Sequence, residues 1–226
     1  MRRFAAPTIL LVLAALLATA PGAAADLRLP AGADAPPELP PGVVPAAVPP
    51  VSKVNGQSRV AGASMSVAKK AYRIVAGPPP LWATVNICDT KTSPNALGVR
   101  ASVPGNGSRR RVYARFTAQW WSGAKQAWLA VGGRGTTDWV YMGTQGWNAN
   151  QGGWTFHFSQ PPAGTAYVIR GVVELSWRRE ARASRGKRKR AHWSQVDRRL
   201  LLTETGKTGV KGGDPVGTSK AMCLIW

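Results

Sequence analysis

Between positions 178 and 190 the chain reads RREARASRGKRKR, in which eight cations (Arg178, Arg179, Arg182, Arg185, Lys187, Arg188, Lys189 and Arg190) meet one acid, Glu180. Such a run repels itself and stays hydrated, and this one holds no aromatic residue on which a base could stack. Its chemistry is sequence-independent attraction to a polyanion, through contacts that position a partner without reading it. A second cluster, Arg109, Arg110 and Arg111, lies well upstream. The whole chain shares the bias, with 30 Lys and Arg against 10 Asp and Glu and a formal net charge of +20. A solvated loop without a dedicated partner is the competing reading of the run.

Catalytic chemistry has little to stand on. Two histidines, His157 and His192, and two cysteines, Cys88 and Cys223, do not make a metal set, and no C-x-x-C is present. The carboxylates Asp89, Asp138, Glu174, Glu180, Asp197, Glu204 and Asp214 are scattered, with no pair marked for glycoside hydrolysis. The G-K-T at 206–208 has Leu201 where a phosphate loop requires its first glycine, and GTSKA at 217–221 ends in Ala221 where a nucleophile elbow requires glycine. Both read as turns. No catalytic residue, metal or cofactor is expected, and a secreted hydrolase is the least supported class of function.

Tryptophan is the other unusual feature, with ten in the chain. Trp120, Trp154 and Trp177 recur on apolar positions and read as core. Trp121 shares the wet positions of its segment with Tyr113, Arg115 and Gln119, which suggests an exposed stacking platform. Trp147, within GTQGWNANQGGW, is flanked by the amides Gln145, Asn148, Asn150 and Gln151, groups suited to sugar hydroxyls. Trp121 and Trp147 are therefore the candidate sugar-stacking residues, with a loop tryptophan that plugs one end of the domain as the alternative.

The elements that carry these residues are strands. Short segments at 82–88, 97–103, 112–121, 127–131, 138–142, 154–158, 167–177, 193–203 and 220–226 are separated by Gly-, Pro- and Asn-rich turns, with no helical period between them. Within 112–120, Ala114, Phe116, Ala118 and Trp120 alternate with polar neighbours; within 167–177, Tyr167, Ile169, Val173, Leu175 and Trp177 do the same. One face is buried and one is wet, the pattern of an all-β antiparallel sandwich. Strand number and spacing resemble an immunoglobulin-like or fibronectin-like fold, without the cysteine spacing of a true immunoglobulin domain. Cys88 falls in the first strand and Cys223 in the last, so a disulfide between them would tie the two ends of the domain together.

The N-terminus sets the compartment. Arg2 and Arg3 precede the apolar run ILLVLAALLA (9–18), and small residues lead to Ala25, which predicts a signal peptide over 1–25. That run is about half the roughly 20 residues a membrane span needs, so the mature chain is expected to have no transmembrane span. Eight prolines between 26 and 50 predict an extended tether unable to join a sheet, and the polar stretch that follows extends this disordered linker to residue 80. The sandwich then occupies 81–226. An exported basic module meets anionic cell-wall polymers, anionic lipid surfaces or extracellular nucleic acid. The expected function is non-enzymatic adhesion to such a polymer through the 178–190 loop and Arg109 to Arg111, secreted or at the cell surface. Alternatives are a polysaccharide-binding module using Trp121 or Trp147, and a structural envelope protein.

Overall fold

The computed structural model describes residues 39, 41–46, 51–57, 81–180 and 193–226. The expected signal peptide and the greater part of the expected tether lie outside the described residues. Among the described residues, eleven strands form two packed sheets: β1 (Val44–Pro45), β2 (Val51–Gln57), β3 (Trp82–Cys88), β4 (Ala96–Val103), β5 (Arg111–Ser122), β6 (Ala127–Ala130), β7 (Val140–Thr144), β8 (Asn150–Phe158), β9 (Thr165–Glu180), β10 (Trp193–Leu202) and β11 (Met222–Ile225). The smaller sheet runs β2-β8-β4-β3, antiparallel throughout. In the larger one β9 is central. β5 lies antiparallel on one side of it, and β10 and β11 follow one another along the other. β7 and β6 line successive parts of β5.

Alternation places the core. In β5 the side chains of Val112, Ala114, Phe116 and Ala118 are fully buried, while Arg111, Tyr113, Arg115, Thr117 and Gln119 between them stay partly exposed. The same parity in β9 sends Ile169, Val173, Leu175 and Trp177 inward to meet Leu97, Val99, Ala101 and Phe156 of the smaller sheet. At Gly171, also on the inward parity of β9, the layers leave no room for a side chain: a methyl group there would sit 2.6 Å from the Val99 side chain and 2.8 Å from that of Thr203. The Cys88–Cys223 disulfide is formed and joins β3 of one sheet to β11 of the other.

Two findings correct the expected linker, whose part 26–50 was to stay out of the sheets and whose remainder to residue 80 was to be disordered. Val44 and Pro45 pair in parallel with Thr165 and Ala166 at the start of β9, and β2 pairs with β8 from Val51 to Gln57. Proline is tolerated because only alternate residues of a strand face a given neighbour. The bonds to β9 come from Val44 N (3.5 Å to Gly164 O) and Ala46 N (2.8 Å to Ala166 O), so the missing donor of Pro45 falls between them.

The outer edge of β3 is covered by the segment between β10 and β11. Glu204 N donates to Ala83 O, Lys220 exchanges two bonds with Val85, and Asp214 N donates to Asn86 O. Edge strands left open template pairing with other chains, and this strap closes that edge. The G-K-T and GTSKA stretches both belong to it. Lys207 N donates to Ser219 Oγ at 2.8 Å, and Ser219 Oγ also bonds Thr84 Oγ1, so the two stretches brace each other against the sheet. Asp214 accepts hydrogen bonds from the Thr90 and Thr92 hydroxyls, which hold its carboxyl below the usual carboxylate range.

Candidate functional site

Register brings the two basic segments to one end of the sandwich. Arg111 at the start of β5 pairs with Arg178 near the end of β9, and on its other side with Thr144 at the end of β7. The connections 104–110 and 145–149 and the β9–β10 hairpin, closed by the Glu180–Trp193 pair, therefore all leave from that end. Arg109 and Arg179 are exposed there, and Arg110, Arg111 and Arg178 are partly so. Arg182, Arg185, Lys187, Arg188, Lys189, Arg190 and His192 lie outside the described residues. The opposite end, formed by turns at 89–95, 123–126 and 159–164, carries only Asp89, Lys91 and Lys125 among its charged side chains, with Asp214 held against it. Among the described residues, Arg109, Arg110, Arg111, Arg178 and Arg179 thus gather with Glu180 at the hairpin end.

From that end a row of cations and aromatic rings runs down the outer face of the larger sheet. The Arg111 guanidinium sits 3.9 Å from the Trp193 ring centre and 5.9 Å from that of Tyr141. The rings of Tyr141 and Tyr113 are 5.3 Å apart. Arg178 lies 4.3 Å above Tyr113 and 5.4 Å from Trp139, and Arg115 lies 5.1 Å from the other neighbour of the row, again Trp139. The row ends in an acid. Glu174, its side chain 7% exposed, accepts from Arg115 Nε at 3.0 Å and forms a second ion pair with Arg198. Each ring–cation contact is worth about 0.5–1 kcal/mol at an exposed site and more where water is excluded.

The sequence signal for this row was the alternation Arg111, Tyr113, Arg115 on the wet face of β5. What sequence alone left unassigned were Trp139 and Tyr141, just before and at the start of β7, and Trp193 of β10, because only the pairing of β7 with β5 and of β10 with β9 makes them neighbours of the row. At the far end of the same face Arg170 lies 4.3 Å from the Trp128 ring and donates from Nε to Gln119 Oε1 at 2.9 Å.

The two candidate stacking tryptophans differ. Trp121, expected on an exposed row, is instead buried, 8% exposed and packed edge-on against Trp128 at 5.5 Å. Its position on the wet parity of β5 is correct, but the cross-strand tryptophan of β6 covers it. Trp147 is 61% exposed, and its indole lies over Gly107, where a methyl group would come within 2.6 Å of the ring. Gly107 has φ of 77°, so both its conformation and this seat require glycine. Three of the four flanking amides are committed internally. Gln145 donates to Pro104 O and accepts from Ser108 Oγ, Asn150 donates to Thr144 O, and Gln151 bonds Gly209 O and Lys211 N. Asn148 is exposed.

Among the described residues no group of three His, Cys, Asp or Glu side chains is placed to hold a metal ion, and no helix is long and apolar enough to cross a membrane. Comparison of the chain with models of protein families, with curated proteins and with solved structures returns no match.

Proposed function

We propose that this protein is an exported, non-enzymatic module of immunoglobulin-like or fibronectin-like type that adheres to an anionic polymer through the hairpin end of its sandwich. The observation that carries this reading is the Arg111–Arg178 pairing, which puts Arg109, Arg110 and Arg111 beside Arg178 and Arg179, residues distant in sequence, while the turns at the opposite end stay near neutral in charge. A field of one sign concentrated on one pole orients the protein toward a polyanion and raises its rate of encounter. Export is supported by the predicted signal peptide together with the Cys88–Cys223 bond, since disulfides persist in oxidising compartments. Three of the domain's described acids, Glu174, Asp214 and Asp89, are engaged in structural contacts, the last accepting from Asn95 N at 2.8 Å.

The test replaces Arg185, Lys187, Arg188, Lys189 and Arg190 with Ser or Gln. Affinity for an anionic wall polymer or DNA is expected to fall, and the dependence of log K on log salt to flatten, roughly by 0.7–0.9 for each lost polymer contact. Unchanged affinity and slope would return the run to a solvated loop. A second reading, binding of neutral polysaccharide, is favoured by the exposed indole of Trp147 alone. Trp147→Ala would abolish it with no change in salt dependence.

A further inference from the structure

We propose that the outer face of the larger sheet is itself a recognition surface, on which Arg111 and Arg178 take successive oxyanions of a linear, base-free polyanion. This rests on the reading of the hairpin end as a polyanion surface, and adds to it the chemistry that is recognised.

Three observations carry it. The first is what the aromatic rings do. Trp193, Tyr113 and Trp139 each have a guanidinium against them, within 3.9–5.4 Å. Stacking occupies the flat face of a guanidinium and leaves its edge, with its fork of N–H donors, for a planar or tetrahedral oxyanion. It also occupies ring faces that a nucleobase would need. The surface therefore offers oriented donors rather than a stacking platform.

The second observation lies lower on the same face. Glu174 is bound between Arg115 and Arg198, so the face already holds one carboxylate between two guanidiniums. The third is the contrast at the top of the row. Arg111 and Arg178 are directly opposite across β5 and β9, an arrangement that is destabilising when both charges are alike. Among the described residues neither has an acid within ion-pair distance. An external oxyanion at this level supplies the countercharge that Glu174 supplies lower down. Ring contacts hold both guanidiniums in place beforehand, so less side-chain freedom is lost on binding.

The discriminating variant conserves charge. In Arg111→Lys/Arg178→Lys the field of the hairpin end is unchanged, but the ammonium cannot present the fork. Using the full disulfide-bonded chain and inorganic polyphosphate as the probe, we expect binding to weaken at least tenfold with the salt slope of the wild type. Wild-type affinity in this variant overturns the proposal, whatever the outcome for the hairpin loop. If the loop substitutions abolish binding while the double lysine variant binds normally, the adhesion reading stands and this inference fails; the reverse result removes the loop and leaves the sheet face. Should the lysine variant not fold, phenylglyoxal labelling of the wild-type chain, read by peptide mapping, decides the matter. Polyphosphate is expected to protect Arg111 and Arg178, and unaltered labelling of both overturns the proposal. Dextran sulfate in parallel distinguishes phosphate from sulfate as the oxyanion. Single-stranded DNA binding more tightly than polyphosphate of equal charge would show bases stacking on the rings, which also overturns it.

Discussion

Glu174 is the residue on which the outer face depends. It sits in the middle of β9, where β-strand propensity disfavours an acid, and it is 5% exposed. Burying a lone carboxylate is costly, and the cost is offset here by Arg115 from β5 and Arg198 from β10. Removing it leaves two cations side by side. Because the Arg115 and Arg198 side chains are 38% and 39% exposed, water screens part of that repulsion. Glu174→Gln is therefore expected to destabilise the fold by about 1–3 kcal/mol, less than the rupture of a fully buried pair. Chemical denaturation of the variant checks this, and a loss under about 0.5 kcal/mol would show that the pair contributes as little as an ordinary surface salt bridge.

At the scale of the element, β5 and β9 do two tasks with opposite faces. Their inward residues join the sheets, and their outward residues build the row of arginines and rings. Close packing between the layers leaves no room at Gly171, where a methyl group would overlap Val99 of β4 and Thr203. Gly171→Ala should cost about 1–3 kcal/mol by overpacking. Val99→Ala in the same chain should recover part of that loss, since the two side chains compete for one volume. Additive destabilisation in the double variant would show that the layers are free to shift apart.

For the whole molecule the relevant bond is Cys88–Cys223, whose ends are 135 positions apart in sequence. It closes a loop spanning the domain and joins the two sheets. A loop-entropy account gives about 5 kcal/mol for such a closure, an upper figure since measured values are often smaller. Cys88→Ser/Cys223→Ser is expected to lower the thermal midpoint by up to about 10–20 °C at this domain size, and non-reducing peptide mapping of the natural chain to show one bridged pair. Two free thiols would remove the tie between the sheets.

What the sequence determined by itself was set by local rules. Strands in the middle of the alternating segments at 112–120 and 167–177 followed from period two, although in β9 the outward parity is buried as well, beneath side chains of neighbouring strands. The disulfide followed from there being two cysteines in a chain that reads as exported. The concentration of charge into 178–190 was equally plain, and its hairpin setting followed from the flanking apolar segments. Tertiary structure decided the rest. That Val44 and Pro45 add to β9 depended on which backbone groups of that strand stayed open, which proline content does not reveal. Trp121 obeyed the strand alternation and was still buried, because Trp128 comes to it from another strand. Arg111, Arg178, Trp139 and Trp193 became one row only through register, and register is a property of pairs of strands. A single sequence states which side chains face outward; cross-strand pairing determines which of them meet.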